Sequence, residues 1–173
     1  MASARPVFYR TRIEIEIDDY YKIVKKSGLL IEYFKEIYYE ILPFNYNIPS
    51  DISSSAFFIV LTVLLDKSEI TLKNVNVNPS RTGVITILRK MGIKIILKNL
   101  RKYKGEKVSD IFVKSPKIIK SINCPPKLNS GAIDEFLIIF LVAAKANGVS
   151  YFKNLSELNQ KESPRLIWGA KIL

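Results

Sequence analysis

The chain has 173 residues, of which 48% are hydrophobic, so it is long enough to bury a core. It contains no histidine, which excludes a histidine general base, a Ser-His-Asp triad and most zinc sites. Its one cysteine, Cys124, has no partner for an intrachain disulfide and no neighbouring base, so we interpret it as structural or incidental. We expect a protein of the reducing cytosol that uses neither a metal nor a cofactor.

The net charge is +11 and the pI is near 9.7. Such a charge attracts nucleic acid, acidic membrane surfaces and phosphorylated small molecules. The lysines are scattered along the whole chain, however, and no RNA-binding motif accompanies them, so we do not expect nucleic acid as a partner. The apolar runs 57–65 and 136–144 are too short to span a bilayer, and no signal-peptide pattern opens the chain. We therefore expect a cytoplasmic protein without a membrane partner.

The first part of the chain gives an incomplete pattern. Residues 12–18 alternate between apolar and charged side chains, which predicts a half-buried strand. Residues 20–26 favour a short helix that ends at Gly28. Pro43 and Pro49 then interrupt the pattern.

From residue 50 to residue 116 the sequence predicts a helix, a strand, a helix and two strands. The polar run 50–55 is typical of a helix N-terminus, and Gly92 is typical of a helix end. The charged stretch 99–107 predicts a hairpin-like connection between the last two strands. The predicted elements are a helix to about residue 65, a strand at 69–75, a helix at 84–91, and strands at 93–97 and 110–114.

After residue 116 the same order begins again. The triplet Lys73-Asn74-Val75 recurs 80 residues further on as Lys153-Asn154-Leu155. Repetition on this scale predicts stacked copies of one βαβαββ unit, of which the second copy is cut short. The predicted elements of this second copy are a strand at 118–122, a helix at 134–146, a strand at 149–155 and a helix at 164–172.

The segment 157–165 is the strongest candidate for chemistry. It predicts a loop that enters a helix, with Ser163 as the N-cap and Pro164 as the first helical residue. Lys161, Glu162 and Arg165 lie within five positions there, and a helix N-terminus favours anions. One interpretation is an anion-handling site with an acid or base at its centre. The other is an ordinary charged loop exposed to solvent.

Four motifs, in this order and at these spacings, resemble the EPSP synthase family, whose members are 3-phosphoshikimate 1-carboxyvinyltransferases. The resemblance implies an α/β fold of two lobes, built from repeated βαβαββ units with helices inside and sheets outside, an inside-out α/β barrel that is incomplete here. It also implies transfer of the enolpyruvyl group of phosphoenolpyruvate to the 5-hydroxyl of shikimate 3-phosphate, on the route to chorismate and the aromatic amino acids. The motifs are Asp51-Ile-Ser-Ser-Ser-Ala56-Phe-Phe, Asn78-Pro-Ser-Arg-Thr-Gly83, Ala132-Ile-Asp134-Glu-Phe136 and Lys161-Glu-Ser-Pro-Arg165.

The resemblance also implies roles for four residues. Asp134 matches the family's proton acceptor near the shikimate hydroxyls, and Glu162 matches a candidate acid/base at the enolpyruvyl methylene. Lys161 matches a ligand of shikimate 3-phosphate, and Arg165 a ligand of phosphoenolpyruvate. Enol-ether chemistry needs a base and an acid, and polyanionic substrates need permanent cations, so these residue types suit the reaction. Taken alone, Asp134 also fits an ordinary carboxylate in the first turn of a helix.

The sequence departs from the family pattern at several positions. Pro164 replaces the usual Asp, Asn159-Gln160 replaces Arg-Val, and Ser50 replaces the usual Gly. The family's Lys-Ser, Ser-Ser-Gln and Gly-rich motifs, and its last Arg and Lys ligands, have no counterpart in this sequence.

We therefore expect the middle portion of a longer enzyme or a degenerate copy of it. Residues 1–50 would be the unfinished end of one lobe, with the crossover near Ser50-Asp51. Residues 51–173 would be an incomplete part of the other lobe, divided into a repeat at 51–116 and a truncated repeat at 117–173. Two possibilities remain open: a transferase piece whose complementary lobe lies elsewhere, or a non-catalytic remnant that serves as a basic binding module.

Overall fold

The computed structural model describes residues 47–172. The strand predicted at 12–18 and the helix predicted at 20–26 lie outside the described residues, as does nearly all of the expected segment 1–50. The helices are α1 (Ile52–Leu64), α2 (Gly83–Lys90), α3 (Phe136–Ala144) and α4 (Arg165–Ile172), and the strands are β1 (Glu69–Asn76), β2 (Lys94–Tyr103) and β3 (Glu106–Lys114). Short 3-10 turns lie at Pro79–Arg81, Pro126–Leu128, Ser130–Ala132 and Ser156–Asn159.

The described part of the chain is a mixed α/β structure. Its strands form one antiparallel sheet in the order β1-β3-β2. Ser50 makes one isolated parallel bridge to Val75, and the elements that follow are a helix, a strand, a helix and two strands, in the order that the sequence predicts. α1 packs against β1, β3 and α3. The buried core therefore lies between the sheet and the helices.

α1 forms where the capping pattern predicts a helix. Asp51 is the N-cap, and its carboxylate accepts a hydrogen bond from the Ser54 N–H at 2.8 Å. The buried residues of α1 recur at helical spacing, whereas Phe57, Phe58 and Leu61 are exposed. The helix is apolar on all sides, but the described residues cover one face of it.

The hairpin of β2 and β3 is longer than predicted. The charged stretch 99–107 is mostly strand, and the turn is reduced to Lys104-Gly105, both with positive φ, at 45° and 94°. Two successive positive φ values are those of the tight two-residue hairpin turn. The predicted hairpin is confirmed, but the strands extend into 99–107, because the charged side chains lie on the exposed part of β2, where a strand tolerates them.

Asp110 of the central strand β3 organises a bulge in each neighbouring strand. The register shifts at Asn74 in β1 and at Asn99 in β2, and both asparagines have positive φ. Asp110 accepts hydrogen bonds from the Asn74 N–H at 2.9 Å, the Asn99 amide at 2.9 Å and the Lys73 ammonium at 3.2 Å. The bond from Asn74, followed by the bond from Asn99, lowers the Asp110 pKa from 3.8 to about 2.

The second copy follows the predicted order with less regular strands. Asn154 has a φ of 58°, close to the 55° of Asn74, so the asparagine of the repeated triplet lies in the left-handed region in both copies. The strands predicted at 118–122 and 149–155 are wrong as continuous strands. This part of the chain pairs through two isolated parallel bridges, Lys120 with Asn147 and Asn123 with Tyr151, each of which has one residue outside the predicted ranges. The Ser150 hydroxyl accepts a hydrogen bond from the Ile122 N–H, so that N–H is not available for backbone pairing between the two segments.

Candidate functional site

Asp134 lies in a turn that connects the 3-10 segment Ser130–Ala132 to α3, which begins at Phe136 rather than at the predicted residue 134. The Glu135 N–H donates to the Ala132 carbonyl at 3.0 Å, and the Glu135 carbonyl accepts from the Ile139 N–H at 3.0 Å. The turn is thus held by backbone bonds on both sides of Glu135.

A close backbone contact fixes this turn against α2. A Cβ placed on Gly83 would lie 2.5 Å from the carbonyl carbon of Gly131 and 2.8 Å from the nitrogen of Ala132. Such distances leave no room for a side chain, so the two motifs that contain Gly83 and Ala132 touch through their main chains. The approach sets the position of the segment leading to Asp134.

The start of α4 carries the other three predicted site residues. The Pro164 carbonyl accepts the first helical hydrogen bond, from Trp168 at 3.2 Å, so Pro164 is the N-cap and the prediction of Ser163 was wrong by one residue. The N–H of Leu166, in the first turn of α4, donates a hydrogen bond to the side-chain oxygen of Asn159 at 3.1 Å. Asn159, one of the departures from the family pattern, therefore supplies the capping interaction.

The structure brings the four predicted site residues into one ion-pair cluster. The Asp134 carboxylate lies 3.5 Å from the Lys161 ammonium and 3.5 Å from the Arg165 guanidinium. Arg165 also contacts the Glu162 carboxylate at 3.2 Å. The Lys161 and Arg165 side chains are each 27% exposed, whereas Glu162 is 85% exposed. Two cations are therefore half-buried beside a carboxylate, with a second carboxylate at the surface.

A second polar network, which sequence reasoning missed, adjoins this cluster. The buried Glu135 accepts a hydrogen bond from the Ser53 hydroxyl, and Ser53 accepts one from Arg81 at 3.1 Å. Arg81 also lies 3.6 Å from the Asp51 carboxylate. These residues belong to the motifs that carry the family resemblance, but none was selected, because their partners are distant in sequence. All four motifs thus meet around Asp134.

The two glutamates of the site have pKa values shifted in opposite directions. Burial raises the pKa of Glu135, a shift that the Ser53 hydrogen bond opposes and the charge of neighbouring Asp134 reinforces. The Glu162 pKa is lowered, first by a hydrogen bond from its own backbone N–H and then by the charge of Arg165. Glu162 is therefore ionised at neutral pH in this structure.

The other candidate groups are less suited to chemistry. Burial raises the pKa of the Cys124 thiol, which lowers the fraction of the reactive thiolate form. Residues 47–172 contain no cluster of three or more His, Cys, Asp or Glu side chains arranged to hold a metal. In that same part of the chain, no helix is long and apolar enough to cross a membrane.

Comparison with known proteins gives one consistent result. Residues 6–173 match the family model of EPSP synthase (3-phosphoshikimate 1-carboxyvinyltransferase). The 3-phosphoshikimate 1-carboxyvinyltransferase of Thermoanaerobacter sp. (strain X514) is 45% identical over 119 residues, which are 69% of this chain and 28% of that protein. The enzyme of the same name from Hydrogenovibrio crunogenus is 43% identical over 122 residues, 70% of this chain and 27% of that protein.

Solved structures agree with the sequence comparison. The structure of an EPSP synthase from Acinetobacter baumannii superposes with a TM-score of 0.70 at 40% identity, over 72% of this chain and 28% of that one. The chain thus spans little more than a quarter of the length of the relatives that it matches.

Proposed function

On the premise that the chain belongs to the EPSP synthase family, we propose that its described residues carry part of a site for enolpyruvyl transfer. The donor is phosphoenolpyruvate and the acceptor is the 5-hydroxyl of shikimate 3-phosphate. The products are 5-enolpyruvylshikimate 3-phosphate and phosphate. This step lies on the route to chorismate and the aromatic amino acids, which we assign to the cytoplasm.

The observation that carries the proposal is the convergence of Asp134, Lys161, Glu162 and Arg165. Lys161 and Arg165 are paired with carboxylates in this ligand-free structure. A substrate phosphate or carboxylate offers them more negative charge than Asp134 alone, so the cations exchange one partner for another on binding. Lys161 then holds shikimate 3-phosphate, and Arg165 holds phosphoenolpyruvate.

The carboxylates perform the proton transfers in this proposal. Asp134 accepts the proton of the 5-hydroxyl as its oxygen bonds to the central carbon of phosphoenolpyruvate, and the methylene carbon takes up a proton. Loss of phosphate with removal of a methyl proton restores the double bond, so the proton added to the carbon leaves again, and the proton held by Asp134 passes to the departing phosphate. We assign the proton transfer at the methylene to Glu162.

Glu162 needs a change of surroundings to act as an acid. Its low pKa leaves it ionised while Arg165 is beside it. Binding of phosphoenolpyruvate draws the charge of Arg165 away and brings negative charge close to Glu162, and both effects raise its pKa. Substrate binding therefore prepares the proton donor.

The charge balance requires further cations. The two adjoining networks contain three cations and four carboxylates, so by themselves they lack the positive charge to hold two polyanionic substrates at the same time. We propose that a complementary lobe supplies the remaining positive charge, with the crossover between lobes near Ser50-Asp51. The groups counted are Lys161, Arg165 and Arg81 against Asp134, Glu162, Asp51 and Glu135.

Titration with shikimate 3-phosphate, followed by amide NMR signals of the full chain, tests the proposed site. We expect the signals of residues 133–135, 159–163 and 165–166 to move, and Lys161→Ala and Arg165→Ala to weaken binding. Each lost charge-assisted contact weakens affinity by roughly tenfold or more, or about 1.5–3 kcal/mol. Lys117→Ala, which removes the same charge at an exposed position, is the matched control.

Two results would redirect the assignment. Equal loss of binding in Lys117→Ala and Lys161→Ala would indicate a general basic surface, which is the behaviour of a non-catalytic binding module. Signal changes confined to residues distant from Asp134 would contradict the proposed site.

A further inference from the structure

We propose that Glu135 is a positioning residue, which holds the turn that carries Asp134. It does so by accepting a hydrogen bond from Ser53, which in turn accepts one from Arg81. The role given to Asp134 rests on the proposed function, whereas the mechanical link does not. Glu135 does not itself touch substrate, because it is 4% exposed.

The hydrogen bonds run in one direction from Arg81 to Glu135. The guanidinium of Arg81 has only donors, so it donates to the Ser53 hydroxyl at 3.1 Å. That hydroxyl has one proton, which it donates to the Glu135 carboxylate at 2.5 Å. Ser53 lies in the first turn of α1, whose N-cap, Asp51, is the second partner of Arg81. Glu135 is therefore tied to a helix terminus that is itself fixed.

Two successive carboxylates in the turn bind different elements. Asp134 pairs with Lys161 and Arg165 at the start of α4, while Glu135 bonds to α1. The backbone of Glu135 is held on both sides, by Ala132 and by Ile139. A rotation of the turn cannot shift Asp134 without stretching the bond from Ser53 to Glu135.

The residue type supports a role beyond packing. A carboxylate costs more to bury than an amide of the same shape, and a glutamine at this position would also accept the Ser53 proton. Among the charged groups near Glu135, Arg81 favours the ionised form of its carboxylate, whereas Asp134 and Asp51 disfavour it. A buried carboxylate with two like charges nearby adds little to stability, but as an ionic acceptor it makes a stronger bond to Ser53 than an amide does.

The test compares Ser53→Ala, which removes the link, with Ser53→Thr, which keeps the hydroxyl. Ser54→Ala is the matched control, because Ser54 is the exposed neighbour of Ser53 in the same helical turn. The readouts on the full ligand-free chain are the Asp134 carboxyl carbon signal and the amide signals of residues 133–135. The third readout is affinity for shikimate 3-phosphate.

We expect Ser53→Ala to shift the Asp134 signals and to weaken binding roughly tenfold, the effect expected for the loss of one hydrogen bond to a charged group. Ser53→Thr and Ser54→Ala should resemble the wild type. Glu135→Gln gives a second route to the same conclusion, with a smaller shift in the same direction. It keeps an acceptor for Ser53 and avoids a buried cavity.

The proposal is overturned if Ser53→Ala lowers the unfolding midpoint but leaves the Asp134 signals unchanged, because Glu135 is then structural only. Absence of shikimate 3-phosphate binding in the wild type would instead count against the proposed function. In that case the ligand-free signals still decide whether Glu135 positions Asp134.

Discussion

Gly83→Ala should destabilise the chain because of the main-chain contact between two motifs. The new Cβ would lie 2.5 Å from the carbonyl carbon of Gly131 and 2.6 Å from its oxygen, and both are backbone atoms. Carbon atoms in contact are about 3.5–4.0 Å apart, so the segments must separate by about 1 Å. Overpacking of this kind costs about 1–3 kcal/mol, and the better helix propensity of alanine returns less than about 1 kcal/mol.

The expected net loss for Gly83→Ala is about 1–2 kcal/mol of the free energy of unfolding. Gly131→Ala is the comparison on the other side of the same contact. Its Cβ would meet the Ser80 carbonyl oxygen at 3.3 Å and the Gly83 nitrogen at 3.4 Å, which needs a shift of only a few tenths of an ångström. We therefore expect a smaller loss there.

Urea unfolding followed by far-ultraviolet circular dichroism measures both variants. The Gly83→Ala variant should unfold at a lower urea concentration than Gly131→Ala, with the wild type highest. Equal stability of Gly83→Ala and the wild type would show that the two segments separate without cost. The description of a fixed turn before Asp134 would then be refuted.

Three further predictions concern capping, acid stability and activity. Asn159→Ala should lower the free energy of unfolding in urea by about 1 kcal/mol, because the Leu166 N–H loses its acceptor. Gln160→Ala, at an exposed neighbour, should leave it unchanged, and equal effects of the two substitutions would contradict the capping role. Asp110 has a pKa near 2 in the fold, so its contribution to stability is present above the ordinary pKa of 3.8 and is lost as the pH falls through 2. Asp110→Asn should therefore reduce the change in the free energy of unfolding with pH between about 4 and 2, and an unchanged slope would refute the role given to Asp110. The 173-residue chain by itself should release no phosphate from shikimate 3-phosphate and phosphoenolpyruvate, and turnover that Asp134→Ala abolishes would contradict the charge argument.

Local signals in the sequence predict much of this fold. The polar residues before α1 and the glycine after α2 act over one helical turn, so they are visible as helix boundaries. The prediction of strands at 118–122 and 149–155 was wrong, because continuous strand pairing depends on hydrogen-bond partners that are distant in the sequence. Ser150 shows the difficulty, since its hydroxyl takes the donor of Ile122 across 28 residues.

The site is predictable in its ligands and not in its supporting network. Lys161, Glu162 and Arg165 are close in sequence, and the resemblance adds Asp134. Glu135 looks like an ordinary residue at the start of a helix, and nothing local marks it as buried. Its partner is 82 residues away, so only the folded chain reveals the contact.

The most direct measurement uses a chimera. The matched segment of this chain replaces the corresponding 119-residue segment of the Thermoanaerobacter enzyme, and phosphate release from shikimate 3-phosphate and phosphoenolpyruvate is followed. We predict turnover that falls by roughly 100-fold or more on Asp134→Ala or Glu162→Gln, as expected for loss of a proton-transfer group. A folded chimera that binds both substrates but shows no turnover, or turnover that is unaffected by either substitution, would contradict the assignment of these residues to catalysis.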